Sequence, residues 1–222
     1  MTAKDPTEMA SIDDEESEVS DEQSAADQGD VRILIVDDDP FLLGMYAAKL
    51  EDAYAVETAT SGEAAIEHLI DETTAVPDVV LLDRRMPGLS GDAVLDRITE
   101  LDLDCRVAMI TGVEPDVDVA DMPFDAYLLK PVRGEELRRV VQSLLDRSAF
   151  KSNTNELFSV TARIAALEQS LSRDELDDSH EYTRLCERKA TLESETESTL
   201  EHLLESRNRE VLYRDILEEF KR

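Results

Sequence analysis

Positive charge is what this sequence has least of. Its 23 lysines and arginines face 53 aspartates and glutamates, for a formal net charge of −30, and only 6 of the 23 are lysine. Phosphate backbones are held by clustered Lys and Arg, so charge does not support direct, unaided DNA or RNA binding. Long apolar runs are absent too: no stretch approaches the ~20 residues that a membrane-spanning helix needs. The N-terminus is acidic and lacks the apolar centre of a secretory signal, so a cytoplasmic protein is expected. The two cysteines, Cys105 and Cys186, lie far apart in sequence, which argues against a disulfide framework and for a reduced compartment. His68, His180 and His202 have no metal-ligand spacing and read as solvated helix positions. Beyond residue 150 there is neither glycine nor proline, so nothing there opposes long helices. There is no internal repeat, no basic helix-turn-helix stripe and no kinase or cyclase motif.

What is abundant is acid. Such charge repels itself and destabilises the compact state unless salt screens it, which points to a salt-loving host. Residues 1–30 hold 11 acidic residues against 1 basic and almost no large apolar side chain. They cannot bury enough surface to offset chain entropy, and a disordered acidic tail is expected. From residue 31 the texture changes. Short apolar runs at about 32–36, 54–58, 79–82, 106–110 and 126–129 alternate with helical patterns at about 40–51, 62–72, 91–101 and 134–147. That alternation predicts βαβ units with right-handed crossovers and a parallel sheet. The stretch 113–123, with Pro115, Pro123 and alternating acidic residues, makes a poor helix, so a short or distorted segment is expected there.

Chemistry gathers at the strand ends. Asp37-Asp38-Asp39 follows Ile33–Val36, Asp83 follows Val79–Leu82, Thr111 follows Val107–Ile110, and Lys130-Pro131 follows Tyr127–Leu129. Each signal alone has a plain explanation: an N-cap, a turn former, a turn, a strand terminator. In a doubly wound sheet, however, ligands bind beyond the carboxyl ends of the strands, and that rule brings Asp37, Asp38, Asp83, Thr111 and Lys130 to one rim. Three close carboxylates call for a cation, and hard oxygen ligands suit Mg²⁺ shared with a phosphate. Asp83 could then act as a nucleophile toward phosphorus, with Lys130 and Thr111 stabilising the transferred group. A phosphohydrolase of the haloacid dehalogenase type would need a second aspartate two residues past the nucleophile, where this chain has Arg85.

Val36-Asp37-Asp38-Asp39, Leu82-Asp83 followed by Met86-Pro87-Gly88, Thr111-Gly112 and Lys130-Pro131 together resemble the receiver domain of two-component response regulators over about residues 31–148. The resemblance implies a flavodoxin-like, doubly wound five-stranded α/β fold. It implies Asp83 as phospho-acceptor for a histidine kinase, and Mg²⁺ held by Asp37, Asp38, Asp83 and the backbone carbonyl of Arg85. It also implies a Thr111–Tyr127 switch pair and a cis bond before Pro131. Such a protein is a phospho-acceptor switch, not an enzyme beyond self-catalysed phosphotransfer and autodephosphorylation. The chain departs from the family at 113–123, where a fourth helix is usual, and at Arg85, a bulky cation beside the phosphate.

The texture changes again after about residue 150. Leu157, Val160, Ile164, Leu167 and Leu171 form one apolar seam at helical spacing, and Asn153 with Glu156 resembles a helix-capping pair. Asp177-Asp178-Ser179 interrupts, and helical patterns resume around Tyr182, Leu185, Leu192, Leu200, Leu203 and Leu204, then Leu212, Ile216, Leu217 and Phe220. An all-α helical hairpin or coiled coil over 153–222 is expected. Tyr182–Leu185, Leu203-Leu204 and Tyr213-Arg214 resemble the haloarchaeal HalX domain. The whole reads as a response regulator in transcriptional or sensory control, and a homodimer is compatible with the seam. The alternative is a scaffold that acts through its C-terminal helices independently of phosphate.

Overall fold

The computed structural model describes residues 31–115 and 122–205. The acidic tail 1–30, the middle of the 113–123 segment and the apolar positions from Leu212 to Phe220 lie outside the described residues. In chain order the elements are β1 (Arg32–Val36), α1 (Pro40–Leu50), β2 (Ala55–Ala59), α2 (Gly62–Ile70), β3 (Val79–Leu82), α3 (Gly91–Glu100), β4 (Arg106–Thr111), β5 (Ala126–Leu129), α4 (Gly134–Ser170), α5 (Arg173–Asp177) and α6 (His180–Glu205).

The five strands form one parallel sheet in the order β2-β1-β3-β4-β5. This is the expected doubly wound, flavodoxin-like arrangement. Both faces are covered, which is why the central strands are apolar without alternation. On β3, Val79 and Leu81 enter the cluster shared with α1 and α4, while Val80 and Leu82 enter the cluster shared with α2 and α3. Successive side chains of a strand point to opposite faces, so four consecutive aliphatics serve two cores. Helix starts follow the polar residues that precede them. Asp39, Ser61 and Ser90 accept hydrogen bonds from the backbone N–H groups of Phe41, Ala64 and Ala93. Each such cap contributes about 1 kcal/mol.

Two expectations fail in the C-terminal half. The last helix of the α/β unit does not end near 147, and Asn153 with Glu156 does not start a new one. Both lie inside α4, which runs 37 residues without interruption, or about 55 Å. Residues 148–156 contain no glycine or proline, so a capping sequence meets no backbone break to cap. The helix ends instead at Leu171. There the Glu175 carboxylate accepts from both the Ser172 N–H and its hydroxyl, at 2.8 and 2.7 Å. A second break falls at 178–179, within the expected interruption. His68 also differs from its reading as a solvated side chain: its Nε2 lies 3.0 Å from Glu57 Oε2.

α6 returns antiparallel along α4. Leu192, fully buried, packs with Val160 and Ile164, flanked by Leu157, Tyr182, Leu185 and Cys186. Outside this seam Arg188 grips Glu156 at 2.9 and 2.7 Å, and Tyr182 donates to Glu168 at 2.9 Å. The apolar cluster is small, so Leu192→Ala should destabilise the hairpin by ~2–5 kcal/mol. Helix content should then be lost in an early unfolding step that leaves the sheet intact. A single unfolding transition with an unshifted midpoint would contradict this packing.

Candidate functional site

Register brings the strand ends level. Val36 pairs with Leu82, and Thr111 pairs with Leu129. The next residues out are therefore Asp37, Asp83 and Lys130, side by side at the carboxyl edge. Asp83 donates its backbone N–H to Val36 O at 2.8 Å, and Lys130 donates its own to Thr111 O at 2.8 Å. Asp37, Asp83 and Thr111 are buried, whereas Asp38 faces solvent. The Lys130-Pro131 peptide bond is cis.

One ammonium sits between two buried carboxylates. Lys130 Nζ lies 2.7 Å from Asp37 Oδ2 and 2.7 Å from Asp83 Oδ2. The opposite oxygens are held by backbone: Asp37 Oδ1 accepts from Asp39 N–H at 3.0 Å, and Asp83 Oδ1 from Arg85 N–H at 3.2 Å. Asp37, Asp38 and Asp83 each offer a carboxylate oxygen within 4.8 Å of the others. Three carboxylates against one ammonium leave an excess of negative charge in a partly buried place. A hard donor set of this kind fits a small divalent cation. Burial is the largest single influence on Lys130 and lowers its pKa, but the hydrogen bonds and charges of Asp37 and Asp83 together outweigh it and the net direction is up.

Thr111 Oγ accepts from Val113 N–H at 3.3 Å, and the Tyr127 hydroxyl donates to Val113 O at 2.8 Å. The Tyr127 ring packs on Phe124 with centroids 5.5 Å apart. All the residues singled out in the sequence thus gather at this edge except the Arg85 side chain, which points to solvent. Sequence reasoning missed Val113, Arg84 and Gly91. A Cβ on Gly91 would lie 2.1 Å from Asp83 O and 2.9 Å from Arg84 Cα, so this glycine lets α3 close against the acceptor loop. The helical pattern at about 91–101 does not reveal this close approach. Cys105 stands apart from the site, and burial pushes its thiol up to about 12, which leaves it inert near neutrality.

Residues 33–142 match the response regulator receiver domain, and residues 146–213 match the HalX domain. The chain belongs to the response regulator receiver family. The receiver is 27% identical to a CheY-like response regulator receiver domain protein of Methanospirillum hungatei, with a TM-score of 0.50, over 54% of this chain and 97% of that one. A candidate transcriptional regulator of Haloferax volcanii is 46% identical over 192 residues, 86% of this chain and 31% of the relative. The transcriptional regulatory protein CutR of Streptomyces coelicolor is 35% identical over 54% of this chain and 55% of its own length. The chain thus spans between about a third and just over half of these two regulators.

Two consequences are measurable. Because the folded-state pKa of Lys130 is raised above the ordinary 10.5, its contribution is fully present below that value and is lost as pH rises through the folded one. Stability of the unsubstituted chain should therefore fall more steeply above about pH 10.5 than that of Lys130→Met. Parallel alkaline titrations of the two would refute the coupling. Gly91→Ala should cost ~1–3 kcal/mol through forced displacement of the Asp83 loop, read as a lower urea midpoint. An unchanged midpoint would mean that the approach of α3 is not a constraint.

Proposed function

We propose that the protein is a phosphorylation-controlled switch in which Asp83 takes a phosphoryl group from the phosphohistidine of a histidine kinase. The observation that carries this reading is the position of the Asp83 carboxylate, 2.7 Å from the Lys130 ammonium and clustered with Asp37 and Asp38. An Asp83 oxygen would form the new P–O bond as the P–N bond to the imidazole breaks and the imidazole leaves. Catalysis of this transfer needs positioning and charge neutralisation above all. Lys130 supplies a fixed positive charge, and the Thr111 hydroxyl can turn toward the transferred group. Asp37, Asp38 and Asp83, with the backbone carbonyl of Arg85, would hold a Mg²⁺ that lowers the electrostatic barrier at the phosphoryl oxygens.

Thr111 and Tyr127 would then act as the switch pair, since both bond to Val113. We set the receiver at 31–148 and the HalX output segment at 153–222; the family matches run over 33–142 and 146–213. Relatives named as transcriptional regulators support a transcriptional output. The acidic surface favours action through a partner protein or a second copy over direct DNA contact. Among the described residues no helix is long and apolar enough to cross a membrane, and a cytoplasmic location suits a kinase partner.

Incubation of the purified chain with acetyl phosphate and Mg²⁺ should add the mass of one phosphoryl group, removable by hydroxylamine as expected of an acyl phosphate. Asp83→Asn should abolish the gain. Labelling that survives this substitution would place the acceptor elsewhere.

A further inference from the structure

The loop that leaves Asp83, residues 84–90, is held at its ends, from within and from outside. At its ends, Gly91 N–H donates to Arg84 O at 3.0 Å, and Arg84 Nε donates to both carboxylate oxygens of Asp92 on α3, at 3.0 and 3.2 Å. From within, Met86 is buried in the cluster that includes Ala65, Leu82 and Val94. From outside, Glu63 in the first turn of α2 reaches across, and its Oε1 accepts from Leu89 N–H at 2.9 Å. An acidic residue in a first turn ordinarily serves the helix dipole alone. This one also lies over Gly88, where φ is +78° and an added Cβ would stand 2.6 Å from Glu63 Oε1. Gly62 beside it brings the α2 backbone against the loop, since a Cβ there would meet Leu89 Cβ at 2.9 Å. Two glycines thus clear the space in which one side chain of α2 spans to the acceptor loop.

We propose that Glu63 is a positioning residue for the cation at the acceptor site: by holding Leu89 N–H it fixes the loop that carries the Arg85 carbonyl. The proposal rests on the reading of Asp37, Asp38, Asp83 and the Arg85 carbonyl as a Mg²⁺ site. A backbone carbonyl serves as a ligand only while its loop keeps the conformation that aims it. Mg²⁺ demands near-ideal octahedral geometry, so displacement of one ligand costs affinity. Arg85 is four residues from Leu89, and what lies between transmits position: Pro87 has a fixed φ, and Met86 is held in the core. Arg85 N–H in turn donates to Asp83 Oδ1 at 3.2 Å, so the same segment orients the acceptor carboxylate. A carboxylate suits the tether, because charge-assisted hydrogen bonds are roughly twice as strong as neutral ones. Attraction of the cation by one more negative charge is a separate effect. An amide distinguishes the two, since it keeps an acceptor oxygen and drops the charge.

The test titrates the full chain with Mg²⁺ alone at constant high KCl and follows the backbone amide NMR signals of Asp38, Asp83 and Arg85. Glu63→Ala should weaken Mg²⁺ binding about threefold to tenfold, less than the ~10–100-fold typical when a group bonded directly to a metal ligand is removed. In the metal-free protein its Leu89 amide should also exchange with solvent faster. Glu63→Gln should recover most of the affinity and of the Leu89 protection through its remaining acceptor oxygen. Glu63 is exposed, so both variants should keep a urea midpoint close to that of the unsubstituted chain. Unchanged Mg²⁺ affinity in Glu63→Ala overturns the proposal, as does weaker binding with Leu89 exchange unaltered. Glu63→Gln binding as weakly as Glu63→Ala overturns it too, because the effect would then belong to charge. If Mg²⁺ leaves these amides of the unsubstituted chain unmoved, or Asp83→Asn binds it undiminished, the cation site itself falls, and with it the reading on which the tether rests.

Discussion

Everything at the carboxyl edge depends on one ammonium shared by two buried carboxylates. Asp37 and Asp83 are carried out of β1 and β3 side by side because Val36 and Leu82 are paired. At that spacing, and this deep, they cannot both remain charged without compensation. Lys130 supplies it at 2.7 Å to each. Leaving either carboxylate without its partner in such a place costs ~3–5 kcal/mol. The lysine can do this only because β5 lies next to β4, with Leu129 level with Thr111. Strand order, register and the cluster of charges are thus a single constraint. The same cluster remains negative in sum, which suits a small divalent cation.

What the sequence made legible is what depends on local pattern. Val79-Val80-Leu81-Leu82 reads as a buried strand because no polar residue interrupts it, and its four side chains do divide between two cores. The four polar groups at strand ends were legible for the same reason: they stand where apolar runs stop. Contacts between distant elements were not. Nothing around Arg84 in sequence reveals Asp92 as its partner on α3, and Val113 looks like an ordinary loop aliphatic. The failure at Asn153 is instructive in the other direction. A residue suited to an N-cap acts as one only where the backbone leaves the helix, and the seam from Leu157 to Ile164 draws the chain onward in helical form.

That continuity changes how the two halves of the chain relate. α4 begins three residues after Pro131, buries Leu137, Val140, Val141 and Leu144 against the sheet, and then presents Val160 and Ile164 to α6. A linker of flexible loop would allow the helical region to move independently, whereas an unbroken helix transmits tilt or rotation along its length. Lys130, at the head of this path, is the residue that would respond directly to charge added on Asp83. Between β5 and the C-terminal hairpin the chain therefore passes only through residues 130–133 and then one continuous helix.

The extreme surface charge and the buried cluster obey different electrostatics. Exposed acidic residues interact through water, where salt at ~1 M shortens the Debye length to about 3 Å and removes most of their mutual repulsion. The contacts of Lys130 are shorter than that length and shielded from solvent, so salt leaves them nearly intact. Screening a surface while sparing a site is useful to a switch whose signal is a change of charge. At high ionic strength, long-range fields cannot carry the arrival of a phosphoryl group across the molecule. A signal there has to travel through direct contacts, such as the Lys130 ion pairs and the hydrogen bonds of Thr111 and Tyr127 with Val113. The density of short, partly buried polar contacts around Asp83 is what such a medium requires.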